Sequence, residues 1–304
     1  EYTMNLQDLI HKKTWKEIQG YLAMSNPPGI ILSGVPGLGK FELGLYIAAA
    51  ILGCSEKELY KNPDFYMTGT NDTVSSDDIK DLIDFSWRSS LMGKKVILLN
   101  NSHTVSVSTQ NKLLKILEDR EDNVLILLAD SNTLIPTIIS RCCHIQLQPP
   151  TSAIIKRFLI EKGVADSDID FLSYMIGNAP FLYTKEEKTL MQYKSQLEQL
   201  YRITVRSDLL NVMNMLKEKD KNSFYEKNTA HTTWNIKLIM YPFYNYYFDT
   251  VNNGDTASEI YPGNLYTPDE AYSIICMGQY HLKIKNYTKN DYFGLLRYII
   301  RPKD

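Results

Sequence analysis

The sequence predicts an α/β domain with a parallel sheet covered by helices, then a small helical lid and an all-helical C-terminal domain. Three observations predict this. Short apolar runs alternate with segments of helical spacing through the first half of the chain, which is typical of a parallel sheet with helices on both faces. Pro149-Pro150 ends the alternation, because neither proline can continue a strand ladder or a helix interior. After about Thr184 only helical spacing continues. The predicted limits are 1–148, 149–183 and 184–304.

Five short apolar runs predict the strands. Each is four to six residues long and is rich in Ile, Leu, Val or aromatic residues, as expected for strands buried on both faces. The predicted strands are Gly29–Ser33, Phe65–Thr68, Lys95–Leu99, Asn123–Leu128 and His144–Leu147.

Helical spacing of apolar residues fills the intervals. It predicts a helix over Phe41–Leu52, one that carries Ile79, Leu82 and Ile83 behind the capping run Ser75–Asp78, and one from about Ser108. Two shorter helices, Ser152–Lys162 and Asp166–Ile176, form the predicted lid. Further leucine-rich helices, the aromatic run Tyr241–Phe248 and the segment Tyr292–Ile300 make up the predicted third domain.

Composition excludes several classes of protein. The chain is 44% hydrophobic and 22% charged, which suits a folded globular protein and not a disordered one. No run approaches the roughly 18 apolar residues of a membrane helix, and Glu1–Met4 lack the basic-then-apolar pattern of a signal peptide. Four cysteines without a CxxC pair favour a reducing compartment. We therefore expect a cytoplasmic protein that is not a membrane, secreted or fibrous one.

The charge balance argues against a self-sufficient DNA-binding domain. The net charge is −2, with 14 basic against 17 acidic residues in the first 150 and 19 against 18 in the remainder. Neither part has the basic excess of such a domain. Contact with nucleic acid would therefore be local or shared with partner proteins.

The segment Gly34–Lys40 fits the phosphate-binding pattern G-x-x-x-x-G-K, between a predicted strand and a predicted helix. Gly34, Gly37 and Gly39 allow backbone N–H groups to surround a phosphate, and the helix N-terminus adds positive potential. Lys40 is the candidate phosphate ligand; a vestigial lysine is the alternative. A glycine-rich strand-to-helix turn with an exposed lysine is the alternative to a phosphate site.

Two features of a nucleotide hydrolase are missing. Phe41 replaces the Ser or Thr whose hydroxyl would bind magnesium. Asn100-Asn101 follows the third predicted strand, where an ATPase of this kind has acidic residues that hold hydrated magnesium and polarise the attacking water. Amides carry no charge and do not act as bases. These changes predict a site that binds nucleotide weakly at most and does not hydrolyse it.

Four stretches resemble the AAA+ clamp-loader subunits, and most of all the delta-prime subunits of bacterial DNA polymerase III. They are the degenerate loop Ser33–Lys40, the strand segment Gly93–His103, the helix Ser108–Asp119 and the signature Leu134–Cys142. The last two are the most specific, and the resemblance covers about residues 5–180. The helical remainder matches the family's collar by position and class only.

The resemblance implies a role for Arg141, which lies in the family's Ser-Arg-Cys signature. There the arginine acts in trans, as a finger that reaches the γ-phosphate in a neighbouring subunit's ATP site. A permanently charged, rigid fork of donors suits that task. A surface arginine that closes a short helix is the alternative.

The resemblance also implies a function and partners. The chain is expected to be an ATPase-deficient, delta-prime-like subunit that helps load the sliding clamp on primed DNA, with tau/gamma and delta subunits as its neighbours. It would need no cofactor, and ATP or ADP would bind weakly at most. An active tau/gamma-like ATPase and an AAA+-derived scaffold without a clamp role are the two alternatives.

Several residues depart from the family pattern or stay ambiguous. The family's four-cysteine zinc module is missing, since only Cys54 lies in that interval, so we expect no metal. The lid segment 177–182 has no basic residue to serve as its phosphate sensor. Asp130 or Ser131 occupies the place of the polar sensor after the fourth strand. Cys142 and Cys143 are interpreted as reduced residues that enter a buried strand, and Tyr241–Phe248 as a packed helix face and not a base-stacking surface.

Overall fold

A computed structural model describes residues 4–69, 73–119, 122–130, 133–201 and 267–283. It also describes seven single helical positions, which are 237, 240, 241, 243, 244, 247 and 251. The chain forms two compact units. One consists of Glu1–Ile169 with Ile176–Lys185, and the other of Asp170–Met175 with Glu186–Asp304.

The first unit is built on a five-stranded parallel sheet. Its strands are β1 (Gly29–Ser33), β2 (Phe65–Thr68), β3 (Lys95–Leu99), β4 (Asn123–Ala129) and β5 (Cys142–Gln146). Their order across the sheet is β2-β3-β4-β1-β5, and every neighbouring pair is parallel. The first strand is therefore central, between the fourth and the fifth. This arrangement confirms the predicted α/β class.

Helices precede the first strand, occupy the intervals between the strands and follow the last one. They are α1 (Leu6–Leu9), α2 (Lys12–Leu22), α3 (Lys40–Leu52), α4 (Glu56–Leu59), α5 (Ser76–Trp87), α6 (Val107–Asp119), α7 (Pro136–Ile139), α8 (Ser152–Glu161), α9 (Asp166–Ile176), α10 (Pro180–Tyr201) and α11 (Pro268–Lys283). A 3₁₀ turn covers Ser102–Thr104. No helix among these described residues is long and apolar enough to cross a membrane.

The sheet is buried on both faces, which explains its continuous apolar strands. Alternate residues of one strand enter different cores: Ile30 and Leu32 pack in one cluster, while Ile31 packs in the other. Helices α2 and α3 contribute to the first cluster, and α5 and α6 to the second. Because successive side chains of a strand point to opposite faces of the sheet, one apolar run packs against the helices on both faces.

The strand limits agree with the prediction except in two places. β4 extends one residue further, to Ala129, and β5 begins at Cys142 rather than His144 and ends at Gln146. The predicted strand started at His144, next to the buried Ile145, because the residues before it are only half-buried. The ladder to β1 nevertheless starts at Cys142. Both adjacent cysteines are thus strand residues.

The described residues of the predicted third domain are helical, apart from Thr267 directly before α11. Helix α10 runs on to Tyr201, and α11 covers part of the tail. Tyr241, within the aromatic run, is buried, and its ring contacts the rings of Phe171 and Tyr174 at centroid distances of 5.3 and 5.1 Å. These contacts agree with a packed helix face. The predicted segment Tyr292–Ile300 lies outside the described residues.

At the edge of the sheet where the strands begin, a buried lysine closes the C-terminal end of α5. The side chain of Lys95 is about 1% exposed, and its Nζ donates to the carbonyl oxygens of Phe85, Ser86 and Arg88, at 2.6 Å for Ser86. A cation at this end of a helix satisfies carbonyls that have no partner within the helix. This contact ties α5 to the start of β3.

We expect Lys95→Met to lower the free energy of unfolding by about 2 kcal/mol, because methionine keeps the apolar stem but leaves buried carbonyl groups without a donor. Lys94→Met is the matched control. Lys94 is half-buried, and its Nζ donates one long hydrogen bond, to Ser25 O at 3.3 Å, so the change should stay within about 0.5 kcal/mol. Urea unfolding of both variants measures the difference. Equal effects would show that the Lys95 contacts contribute little.

Candidate functional site

The phosphate-binding loop lies between the end of β1 and the start of α3. Gly37 and Gly39 have φ values of +81° and +91°, a region that L side chains rarely adopt, and Gly39 caps the N-terminus of α3. Lys40 is the first residue of that helix. Because β1 is central and all strands are parallel, this loop shares the carboxyl edge of the sheet with the residues that follow β4 and β5. Ligands of open α/β sheets bind at such an edge.

The ammonium group of Lys40 is held inside the protein. Its Nζ donates to the carbonyl oxygens of Gly34 at 2.5 Å and Val35 at 2.9 Å, and lies 2.8 Å from Asp130 Oδ1. The side chain is only 9% exposed. Burial lowers the pKa of Lys40, while the negative charge of Asp130 and its hydrogen bond oppose that change. The lysine that would bind phosphate therefore already has an anionic partner from its own chain.

Asp130 is the first residue after β4, the position that the sequence left ambiguous. Its second carboxylate oxygen lies 3.9 Å from His103 Nε2, and its backbone N–H donates to His103 Nδ1 at 3.2 Å. The register of β1 with β4 pairs Ser33 with Ala129, which brings the start of the loop next to Asp130. Ser131 lies outside the described residues.

The residues that replace the magnesium ligands have other contacts. Phe41 packs, partly buried, against the core cluster that contains Leu43 and Ile47. Asn101 adopts a left-handed backbone with φ of +50°, and its side-chain amide donates to Gly69 O at 3.2 Å. The backbone N–H of Asn100 donates to Thr68 O at 3.0 Å. These contacts join the end of β3 to the end of β2, so Asn100 and Asn101 have a structural role here.

The segment that begins α10 lies directly against the phosphate-binding loop. The backbone N–H of Phe181 donates to Gly37 O at 3.1 Å. A Cβ atom added to Gly37 would come within 2.3 Å of Leu182 Cγ, and one added to Gly39 within 2.6 Å of Phe181 Cε2. Apolar side chains of the segment 177–182, which has no basic residue, thus pack on the loop. The glycines are required for this approach as well as for their positive φ.

Arg141 follows α7 and precedes β5, as the sequence predicts. Its side chain is 39% exposed, its Nη2 lies 2.6 Å from Glu118 Oε1, and its Nη1 donates to Thr137 O at 3.0 Å. The backbone on both sides is fixed by the core, since Ile138 is fully buried and Cys142 pairs with Gly29 in the sheet. The guanidinium group is therefore presented at the surface from a rigid base.

A buried glutamine connects α6 to the segment that carries Arg141. Gln110 is 1% exposed; its Oε1 accepts from the backbone N–H of Ile135 at 2.8 Å, and its Nε2 donates to Val105 O at 3.0 Å and Thr133 O at 3.2 Å. The side-chain amide uses both its acceptor and its donor group. It therefore fixes the loop between β4 and α7 at the start of the signature.

The cysteines next to Arg141 are free thiols. Burial raises the pKa of the Cys142 thiol to about 12, and Cys143 adds to the effect, so the group stays protonated at neutral pH. Among the described residues, no group of three or more His, Cys, Asp or Glu side chains could hold a metal ion. The expected lack of a zinc site remains a prediction.

The structure brings Gly34, Gly37, Gly39 and Lys40 together in one loop. Three contacts at the site were not expected from the sequence: the pairing of Asp130 with Lys40, the pairing of Glu118 with Arg141 and the bonds of Gln110. Gln110 and Glu118 both lie in the helix motif that the resemblance singles out. That motif was the only sequence signal for their importance.

Gln110→Leu should lower the free energy of unfolding by about 2 kcal/mol, because the half-buried N–H of Ile135 and the buried carbonyl group of Val105 lose their partner. Asn111→Leu, at the next, exposed position of the same helix, is the control and should change stability by less than about 0.5 kcal/mol. Urea denaturation followed by circular dichroism measures both. A loss of the same size in the two variants would contradict the role assigned to the buried amide.

Comparison with known proteins agrees with the resemblance that the motifs indicate. Residues 11–151, just under half of the chain, match the family described as DNA polymerase III, delta subunit. The DNA polymerase III subunit delta' of Pseudomonas aeruginosa is 29% identical over 183 residues, which are 54% of this chain and 55% of the relative. A replication factor C small subunit of Methanococcus vannielii is 27% identical over 183 residues, 56% of each chain.

The chain thus spans about half the length of the curated relatives it matches. A solved structure of a DNA polymerase III gamma subunit-related protein from Thermotoga maritima aligns with 95% of this chain and 98% of its own, at 16% identity and a TM-score of 0.47. The family match includes both the phosphate-binding loop and Arg141. Over residues 11–151, the resemblance to the AAA+ clamp-loader subunits that the motifs predict is therefore confirmed.

Proposed function

We propose that this chain is a non-hydrolysing, delta-prime-like subunit of a bacterial clamp loader, which supplies Arg141 in trans to a neighbour's ATP site. In this role it helps place a sliding clamp on primed DNA, in the cytoplasm, as part of a hetero-oligomer with tau/gamma and delta subunits. The observation that carries the proposal is the pairing of Lys40 with Asp130 in a phosphate-binding loop that lacks its magnesium ligands.

The contacts of the Lys40 ammonium group support a loop that keeps its structure without bound nucleotide. An entering phosphate would compete with the Asp130 carboxylate for the ammonium group, and would do so without a magnesium ion to add positive charge. Phe181 and Leu182 already pack on the loop glycines. The chain therefore supplies, from its own residues, the contacts that a nucleotide would make with Lys40 in an active site.

The surroundings of Arg141 support an action outside the chain. Its guanidinium group is partly exposed on a firmly held backbone, while Lys40 of the chain's own phosphate-binding loop is paired with Asp130. An arginine finger elsewhere contributes about 10³–10⁵ in rate by offsetting the charge that develops in the transition state. A subunit without hydrolysis of its own retains a function if it delivers such a finger. A tau/gamma-like ATPase needs the magnesium ligands that Phe41, Asn100 and Asn101 replace.

Titration calorimetry of the full chain with ATP and ADP tests the nucleotide site. We expect weak binding that changes little when magnesium is added, and phosphate release at background. Asp130→Asn should strengthen binding about tenfold, because it frees one charge-assisted hydrogen bond of Lys40 for phosphate. Lys40→Ala should abolish what binding there is.

Asp77→Asn provides the matched control for this titration, since it removes an exposed carboxylate from the first turn of α5. It should leave the affinity unchanged. Tight, magnesium-dependent binding by the wild-type chain, or ATP turnover that disappears in Lys40→Ala, would contradict the proposal and favour the active ATPase.

The finger is tested in the reconstituted clamp-loader complex, by measuring ATP hydrolysis stimulated by DNA and clamp. Arg141→Ala should remove hydrolysis at one neighbouring site and impair clamp loading while the complex still assembles. Arg141→Lys should restore little, because an ammonium group lacks the fork geometry. Other ATP sites of the ring keep their own fingers, so the total rate falls only in part.

Arg157→Ala is the control for this experiment. Arg157 is also an exposed, ion-paired arginine, with its Nε 3.3 Å from Glu161 Oε1 on the same helix. The control should leave hydrolysis and clamp loading at wild-type levels. If the assembled complex with Arg141→Ala also kept wild-type rates, Arg141 would be a structural arginine only.

A further inference from the structure

Arg141 is held by two contacts that come from different elements. Glu118, near the end of α6, binds Nη2 through Oε1 at 2.6 Å, and Thr137, in α7, accepts from Nη1 at 3.0 Å. Arginine presents five N–H donors in a planar fork. These two contacts occupy one donor on each terminal nitrogen, so they fix the plane of the guanidinium group and leave further donors for another acceptor.

The helix that provides Glu118 also fixes the other end of the same segment. Gln110, two turns earlier in α6, binds the backbone of Thr133 and Ile135, whereas Glu118 binds the side chain of Arg141. Between these points, Ile138 is fully buried in the core. Helix α6 therefore holds the segment 133–141 by its backbone at one end and by its arginine at the other.

The exposure of this ion pair indicates what the contact does. The side chains of Arg141 and Glu118 are 39% and 44% exposed, and pairs this exposed contribute little to folding stability. A free arginine side chain has many rotamers, and the freedom it loses on binding an anion weakens that binding. A carboxylate that selects one orientation in advance reduces this loss.

We propose that Glu118 is the positioning residue of the arginine finger: it sets the direction of the Arg141 guanidinium group before the neighbour's phosphate arrives. The inference rests on the proposed function of Arg141. Glu118 acts only through Arg141 and does not touch the reacting phosphate. Its effect therefore belongs to the transition state of the neighbouring site and not to the assembly of the complex.

The test uses the reconstituted complex and measures ATP hydrolysis, stimulated by DNA and clamp, as a function of ATP concentration. Glu118→Ala should lower kcat at the neighbouring site about two- to fivefold, the range expected of an exposed ion pair, with little change in KM. Glu118→Gln should restore part of the rate, because its amide oxygen still accepts a hydrogen bond. Assembly and the thermal unfolding midpoint should not change.

A double-mutant cycle distinguishes positioning from a separate structural role. If Glu118 acts through Arg141, the double variant Glu118→Ala with Arg141→Ala should be no slower than Arg141→Ala alone. Glu161→Ala is the control, because it removes the carboxylate of another exposed Arg–Glu pair, and it should have no effect on hydrolysis.

Each remaining outcome has a defined meaning. A wild-type or raised rate in Glu118→Ala, while Arg141→Ala is impaired, would overturn this inference and leave the finger in place. Additive losses in the double variant, or failure of Glu118→Ala to assemble, would overturn it as well. Wild-type rates in both single variants would overturn the finger itself and, with it, the proposed function.

Discussion

The ammonium group of Lys40 is buried, and a protein tolerates a buried charge only when it is paired and hydrogen-bonded. In a nucleotide-binding protein the phosphates meet this requirement. Here Asp130 and the carbonyl groups of Gly34 and Val35 meet it. Because Asp130 follows β4 and Lys40 begins the helix after β1, the pair joins two neighbouring strands at their carboxyl ends. This contact therefore connects the loop, the start of α3 and the end of β4.

Most of the first unit could be predicted from the sequence, because strands buried on both faces produce unbroken apolar runs. The limits of β1, β2 and β3 agree residue for residue. The start of β5 was missed because exposed and half-buried residues open that strand, and their hydropathy does not distinguish them from a loop. The short helix α1 and helix α2 precede the first apolar run and were not predicted. Most of the helical C-terminal prediction falls on residues outside the described ranges.

The site was predictable where a local motif defines it and unpredictable where two distant segments meet. Glycine spacing identified the loop, and the Ser-Arg-Cys signature identified Arg141. The partner of Lys40 depends on the adjacency of β1 and β4, which is a property of the sheet order and not of either segment. The pairing of Arg141 with Glu118 likewise depends on how α6 lies beside α7. Such contacts between distant segments cannot be inferred from the spacing of residues along the sequence.

The central place of β1 also has a consequence for the way the chain folds. Its two partners are β4 and β5, so the strand that leads into the phosphate-binding loop gains its first ladder only when residues 123–129 are available and its second only with β5. Such pairings have a high contact order, and the loop-closure entropy must be overcome before they contribute stability. During synthesis, β2 and β3 can pair with each other first, and both edges of β1 stay unpaired until its partner strands have been made. The Lys40–Asp130 contact of the loop can therefore form only after β4 and Asp130 have been synthesised.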